Sequence, residues 1–178
     1  FKDKKLLRIV PKRDYHLIQG KFAIELISII NDKEESDWLG TFHGSTISDG
    51  KNALLFIGES GRGKSTLCGL LSAKGFELVA DDVSPMLASN YRIYHNPSAL
   101  SIKEGAFDVL SPLINNFDNF PNTFFNKTKG VIKYLPCEDP INTNYPCRAI
   151  VMVNYNPDSD TIFQKTSVKE ILETLIPE

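Results

Sequence analysis

Ala53-Leu-Leu-Phe-Ile57-Gly58-Glu59-Ser60-Gly61-Arg62-Gly63-Lys64-Ser65-Thr66 is an uninterrupted apolar run that breaks into glycines and resumes as a basic, hydroxyl-bearing segment. Five apolar residues in a row followed by glycine is the pattern of a buried central strand. Beyond the glycines, Lys64–Lys74 has helical character: Leu67, Leu70 and Leu71 fall on one face and Gly75 is a natural stop. Phe76–Ala80 is a second largely apolar run, and it ends in Asp81-Asp82. Strand, loop, helix and strand fit within about thirty residues, the size of one βαβ unit.

Residues 58–65 match G-x-x-x-x-G-K-[ST] in full, and each position has a physical task. Gly58, Gly61 and Gly63 allow backbone conformations barred to other residues and bring N–H groups against phosphate oxygens. Lys64 reaches β- and γ-phosphates, and the Ser65 hydroxyl ligates magnesium. The helix that follows points its positive end at the same anion. The expected nucleotide-binding set is Gly58, Glu59, Ser60, Gly61, Arg62, Gly63, Lys64, Ser65 and Thr66, with ATP and Mg2+ as the cofactors.

Asp81 and Asp82 come directly after the second strand, at the carboxyl end where ligands of open α/β sheets bind. One carboxylate can hold magnesium while the other accepts the proton of an attacking hydroxyl. Translational-type GTPases place their magnesium aspartate much further along, and no Asn-Lys-x-Asp segment occurs here. A GTPase is therefore not expected.

Working outward, Ser48-Asp49-Gly50-Lys51 reads as a tight turn that sets 41–47 beside 53–57. Trp38–Ile47 reads as one strand, 31–37 as a surface loop, 6–10 as a short strand, and 21–30 as apolar but ambiguous between strand and helix. Pro85–Ala88 and Tyr91–Tyr94 form a candidate hairpin around Ser89-Asn90. Residues 111–130 are rich in Asn, Pro and Phe and read as irregular. Ala149–Tyr155 reads as a strand, and a closing helix starts at the capping box Ser167-x-x-Glu170.

The chain has 178 residues, a size that suits one domain with its own core, and a net charge of -2. That charge argues against a nucleic-acid binder, which needs a concentrated basic surface. The basic residues Lys4, Lys5, Arg8, Lys12 and Arg13 read as a solvated face. Three scattered cysteines read as reduced thiols. The apolar stretch 22–30 is too short to span a bilayer and the basic opening lacks a signal-peptide core, so a cytoplasmic protein with no membrane partner is expected.

The run from His43-Gly-Ser-Thr-Ile47 through residues 58–66 to Leu78-Val-Ala-Asp81-Asp82 resembles the catalytic domain of HPr kinase/phosphorylase and its HPr-kinase-like relatives, which share a nucleotide core with phosphoenolpyruvate carboxykinase. The likeness is specific over residues 42–84 and weaker from Pro97 to Leu110. It implies an α/β fold with a P-loop core and a mixed, largely β sheet. Residues 1–178 would form one domain, with 1–40 peripheral, 41–110 the nucleotide core, 111–147 on the acceptor side and 148–178 a closing strand and helix. It further implies that His43 lies near the phosphates, and that one of Asp81 and Asp82 is the base while the other serves the metal, expected as Ser65 with Asp82. Self-association into a homo-oligomer follows from the resemblance alone.

Two features depart from that family. Its Glu-x-Arg-Gly segment is replaced by Ser101-Ile102-Lys103-Glu104-Gly105, so Lys103 stands in the place of a catalytic arginine and Ser101 in that of a glutamate, with Glu104 as the alternative for the carboxylate. Lysine supplies charge without a bidentate fork. The loop also continues Ser65-Thr66 where Ser-Glu is usual. Both favour an HPr-kinase-like paralogue and speak against phosphorylase activity. The expected reaction is phosphoryl transfer from ATP to a hydroxyl, with a protein or peptide serine favoured and Asp81, Asp82, His43, Lys64 and Lys103 as the catalytic set. The alternatives are a small-molecule kinase and a nucleotide-binding regulator without turnover. A phosphoenolpyruvate carboxykinase-like lyase needs more metal ligands and arginines than this chain carries.

Overall fold

The computed structural model describes residues 9, 11, 15–127, 129–138 and 141–175. The strand expected over 6–10 and the basic N-terminal residues fall outside these, apart from Ile9. The fold is mixed α/β and mostly sheet. Among the described residues, no helix is long and apolar enough to cross a membrane.

The ambiguous stretch 21–30 belongs to a helix, α1 (Tyr15–Ile30). Ile24 and Ile27 pack with Trp38 and Leu87, and Trp38 Nε1 donates to Ser28 Oγ at 2.9 Å. Ile18, Phe22 and Leu26 are exposed on other faces. With apolar residues all round the axis, no 3.6-residue period stands out in the sequence.

The expected strand 38–47 is two strands, β1 (Trp38–Phe42) and β2 (Ser45–Ser48), separated by His43-Gly44. They pair with different partners. β1 lies antiparallel to β5 (Ser84–Leu87), while β2 lies antiparallel to both β3 (Ala53–Ile57) and β4 (Glu77–Ala80). The hairpin around Asp49-Gly50 pairs Ser48 with Ala53, as expected. β5 in turn pairs with β6 (Arg92–Tyr94), which supplies the second expected hairpin.

Between β3 and β4 runs α2 (Lys64–Ser72), which ends as Phe76 N–H reaches Leu71 O at 3.1 Å. β3 and β4 are both antiparallel to β2 and therefore parallel to each other. The strand–helix–strand unit is present, but β2 stands between its two strands. The last strand, β10 (Asn144–Met152), starts earlier and ends earlier than the expected 149–155. It pairs antiparallel with β6 through 144–146 and parallel with β3 through 147–152. The seven-stranded order is β1-β5-β6-β10-β3-β2-β4. Because only His43 and Gly44 join β1 to β2, this sheet must fold back on itself.

A three-stranded sheet, in the order β7-β9-β8, is built from β7 (Leu100–Lys103), β8 (Thr123–Asn126) and β9 (Gly130–Leu135). The region 111–130 is thus more regular than its composition suggests: a short 3-10 turn buries Phe117, and β8 pairs with β9. All four β8 residues are exposed, which erases the alternation that would mark a strand.

Both faces of β3 are buried. Leu54 and Phe56 pack with Cys68, Ile102 and, from α3 (Phe107–Leu110), Leu110 beneath α2, where Leu67, Leu70 and Leu71 also lie. Ala53, Leu55 and Ile57 pack with Val79, Met86, Ile93 and Tyr145 on the other side. Against that second cluster rest Ile171 and Leu175 of α4 (Val168–Leu175). Its capping box is formed: Glu170 N–H donates to Ser167 Oγ at 3.2 Å and Ser167 N–H to Glu170 Oε2 at 2.9 Å.

Candidate functional site

Residues 58–63 join the carboxyl end of β3 to the start of α2. Gly58 has φ +143°, and a Cβ there would lie 2.6 Å from Val153 O. Gly63 has φ +90°, and a Cβ there would lie 3.1 Å from Tyr155 Cβ. The backbone therefore turns in conformations that favour glycine and presses against the segment following β10. Tyr155 N–H donates to Arg62 O at 3.2 Å, and Val153 N–H to Ile57 O at 2.8 Å. Glu59 and Arg62, both largely exposed, pair within the loop at 3.3 Å.

Lys64 is buried, and its Nζ donates back to Gly58 O at 2.6 Å and Glu59 O at 3.1 Å. Desolvation pushes its pKa below the ordinary lysine value, opposed by the charges of Asp82 and Asp81. From the second sheet, Lys103 Nζ reaches Ser60 Oγ at 3.1 Å. Two ammonium groups thus attend one glycine-rich loop.

Asp81 is 2 % exposed and held by three donors. Ser45 Oγ lies 2.5 Å and Ser65 Oγ 3.3 Å from its Oδ1, and Ser101 N–H lies 3.0 Å from its Oδ2. Burial raises its pKa, and the donors from Ser101, Ser45 and Ser65 oppose that rise. The carboxylate beside Ser65 is therefore Asp81, whereas the expected metal pair was Ser65 with Asp82.

Asp82 occupies a different position. Its φ is +61°, and Val83 N–H donates to Asp81 O at 2.7 Å across it. This is a tight three-residue turn in a conformation costing about 1–3 kcal/mol for a non-glycine residue. The turn exposes the Asp82 side chain to the cleft. His43 Nδ1 lies 3.1 Å from Asp82 O. A carbonyl only accepts, so Nδ1 carries the proton in this contact.

These groups line a cleft of about 1990 Å³. His43, Lys64, Ser65, Asp81, Asp82 and Lys103 all face it, as do Ser60, Gly61, Gly63 and Thr66 of the loop. Gly58 and Glu59 line an adjoining hollow with His43. Phe125, Lys129 and Tyr134 bring the β8–β9 region to the same cleft.

Sequence reasoning missed Ser45 and the segment 153–155. Ser45 carried a signal, because a serine inside a fully buried strand needs a hydrogen-bond partner. Val153–Tyr155 read as strand residues, and only the three-dimensional contact with Gly58 and Gly63 reveals them. Ser65 and Asp81 are hard oxygen donors suited to magnesium, which in nucleotide sites takes one or two carboxylates and leaves the rest to phosphate and water. Among the described residues, no group of three or more His, Cys, Asp or Glu is gathered for a metal. No family model, curated protein or solved structure matches the chain.

Proposed function

We propose that this chain is an HPr-kinase-like P-loop kinase that transfers the terminal phosphoryl group of Mg-ATP to a hydroxyl, with a protein or peptide serine as the favoured acceptor. The observation that carries the reading is the convergence of Lys64, Ser65 and Asp81 at the mouth of one glycine-rich loop, with Ser65 Oγ 3.3 Å from Asp81 Oδ1. Residues of this type at this spacing suit a phosphate chain and its metal.

In this reading the loop N–H groups and Lys64 hold the β- and γ-phosphates. Ser65 and Asp81 would hold magnesium, which neutralises charge on the phosphate oxygens when bound. Asp82, turned into the cleft, takes the acceptor proton as the acceptor oxygen bonds to phosphorus and the bond to the departing diphosphate breaks. Lys64 and Lys103 stabilise charge on the transferred group. His43 steadies the turn at Asp82 through its bond to the Asp82 carbonyl. Phe125, Lys129 and Tyr134 come from the expected acceptor side.

A nucleotide-binding regulator without turnover is the second reading, and one observation favours it. Ser101 stands where the resemblance implies a glutamate, and it offers Asp81 an N–H donor, not a second carboxylate.

The test is a titration of Mg-ATP, with hydrolysis followed in parallel, on the wild type and on Lys64→Ala, Asp81→Asn and Asp82→Asn. Loss of binding in Lys64→Ala, with binding retained and turnover lost in Asp82→Asn, supports the kinase. Binding by the wild type with no turnover that depends on either aspartate favours the regulator. No binding at all overturns both readings.

A further inference from the structure

We propose that the ring of Tyr155 is the platform on which the base of the bound nucleotide stacks. This rests on the nucleotide reading above and adds the subsite that reading leaves undefined. β3 and β10 are parallel neighbours, with Ile57 paired to Met152, so both chains leave the sheet at the same end. One becomes the glycine-rich loop and the other becomes Val153-Asn154-Tyr155.

The two segments are locked together at three points. Val153 O abuts the Gly58 Cα, Tyr155 Cβ abuts Gly63, and Tyr155 N–H donates to Arg62 O. The backbone of Tyr155 is thereby fixed to the loop. The residue is nonetheless 65 % exposed and lines the cleft that holds Lys64 and Ser65. A large aromatic on a fixed backbone that buries so little of its ring contributes little to the core, yet it presents a pre-set π-face.

Other aromatics of the cleft lack this combination. Phe125 lies beneath the Lys129 ammonium, 4.7 Å from its ring centroid, and belongs to the separate three-stranded sheet. Phe163 is almost fully exposed. Among the described residues, Tyr155 is the aromatic whose backbone bonds to the loop itself. Stacking on such a ring needs only the face of the base and strengthens binding by roughly tenfold or more.

The test compares two probes, Mg-ATP and Mg-tripolyphosphate, by calorimetric titration of wild type, Tyr155→Ala and Tyr155→Phe. Alanine keeps both the Cβ against Gly63 and the N–H bond to Arg62, so the loop retains its support. The expected result is that wild type prefers ATP over tripolyphosphate by about tenfold or more. Tyr155→Ala erases that preference and leaves tripolyphosphate affinity unchanged, and Tyr155→Phe restores it. A Tyr155→Trp variant adds a spectroscopic readout, because Trp38 is the sole native tryptophan: ATP quenches the new fluorescence and tripolyphosphate does not.

Equal affinity of the wild type for both probes overturns the platform while leaving the phosphate site standing. So does a Tyr155→Ala variant that keeps the preference, or one that loses both probes equally. If neither probe binds the wild type, the nucleotide reading fails and the platform fails with it.

Discussion

Ser45 Oγ donates to Asp81 Oδ1 at 2.5 Å, from the middle strand of the β3-β2-β4 group to the end of its neighbour, with both side chains almost wholly buried. Burial pushes the Asp81 carboxyl pKa up, and this bond is among those holding it back. The carboxylate is therefore tuned by a residue that does not itself line the cleft.

Ser45→Ala removes that donor from the charged form, so the Asp81 pKa rises further. If ionised Asp81 serves the metal, the acidic limb of the turnover profile moves to higher pH. Activity at alkaline pH changes little. A pH–rate profile checks this, and an unmoved acidic limb refutes it.

Asp81→Asn is expected to raise stability at neutral pH while abolishing turnover. A native pKa above the ordinary 3.8 means the folded state binds more protons than the unfolded chain across that window. Stability then falls as pH rises through the raised native value. The asparagine amide avoids this cost: it can donate to the hydroxyls of Ser45 and Ser65 and accept from Ser101 N–H. Urea denaturation from pH 7 downward should show the variant's advantage shrinking with acidity, and a pH-independent gap contradicts the argument.

Gly58→Ala sets a methyl 2.6 Å from Val153 O on a backbone at φ +143°. The atom it meets is backbone, so relief requires moving the loop or the exit of β10. A loss of about 1–3 kcal/mol is expected, together with nucleotide binding. Gly105→Ala in the same cleft is the control: it has open space around it and should fall within about 0.5 kcal/mol of wild type. Denaturant midpoints of the two variants make the comparison.

Ser167→Ala is expected to fray α4 at a local cost of about 1 kcal/mol. Bonds from Thr166 and Ser167 hold the Glu170 pKa at about 2, below its ordinary 4.5. The stabilisation from Glu170 is therefore fully present above 4.5 and lost as pH falls through about 2. Amide exchange over 168–175 reads both effects, and unchanged protection in Ser167→Ala removes the basis for them.

The segment from β3 to β4 was legible because each part carried its own signal: an unbroken apolar run, the spaced glycines, a leucine face, and paired carboxylates. Hairpin turns and the Ser167 cap were legible for the same local reason. The insertion of β2 between β3 and β4 was not, since strand order depends on long-range pairing that leaves no periodic trace. α1 was ambiguous because apolar residues surround its axis. The different placements of Asp81 and Asp82 were hidden too, for adjacent residues at a strand end diverge only once the turn at Asp82 is formed.

The place of β10 in the sheet has a consequence for how the molecule comes together. Among the described residues its ladder is the sole strand pairing between a β1-β5-β6 group and a β3-β2-β4 group, yet it is the last of these strands in chain order. Until residues 144–152 are available, each group has an edge with unsatisfied N–H and C=O groups. Pairing over such sequence separation is slow, and edges left open meanwhile invite association between chains. During synthesis the growing chain therefore carries β3, whose two faces both end up in the core, half-paired until β10 follows.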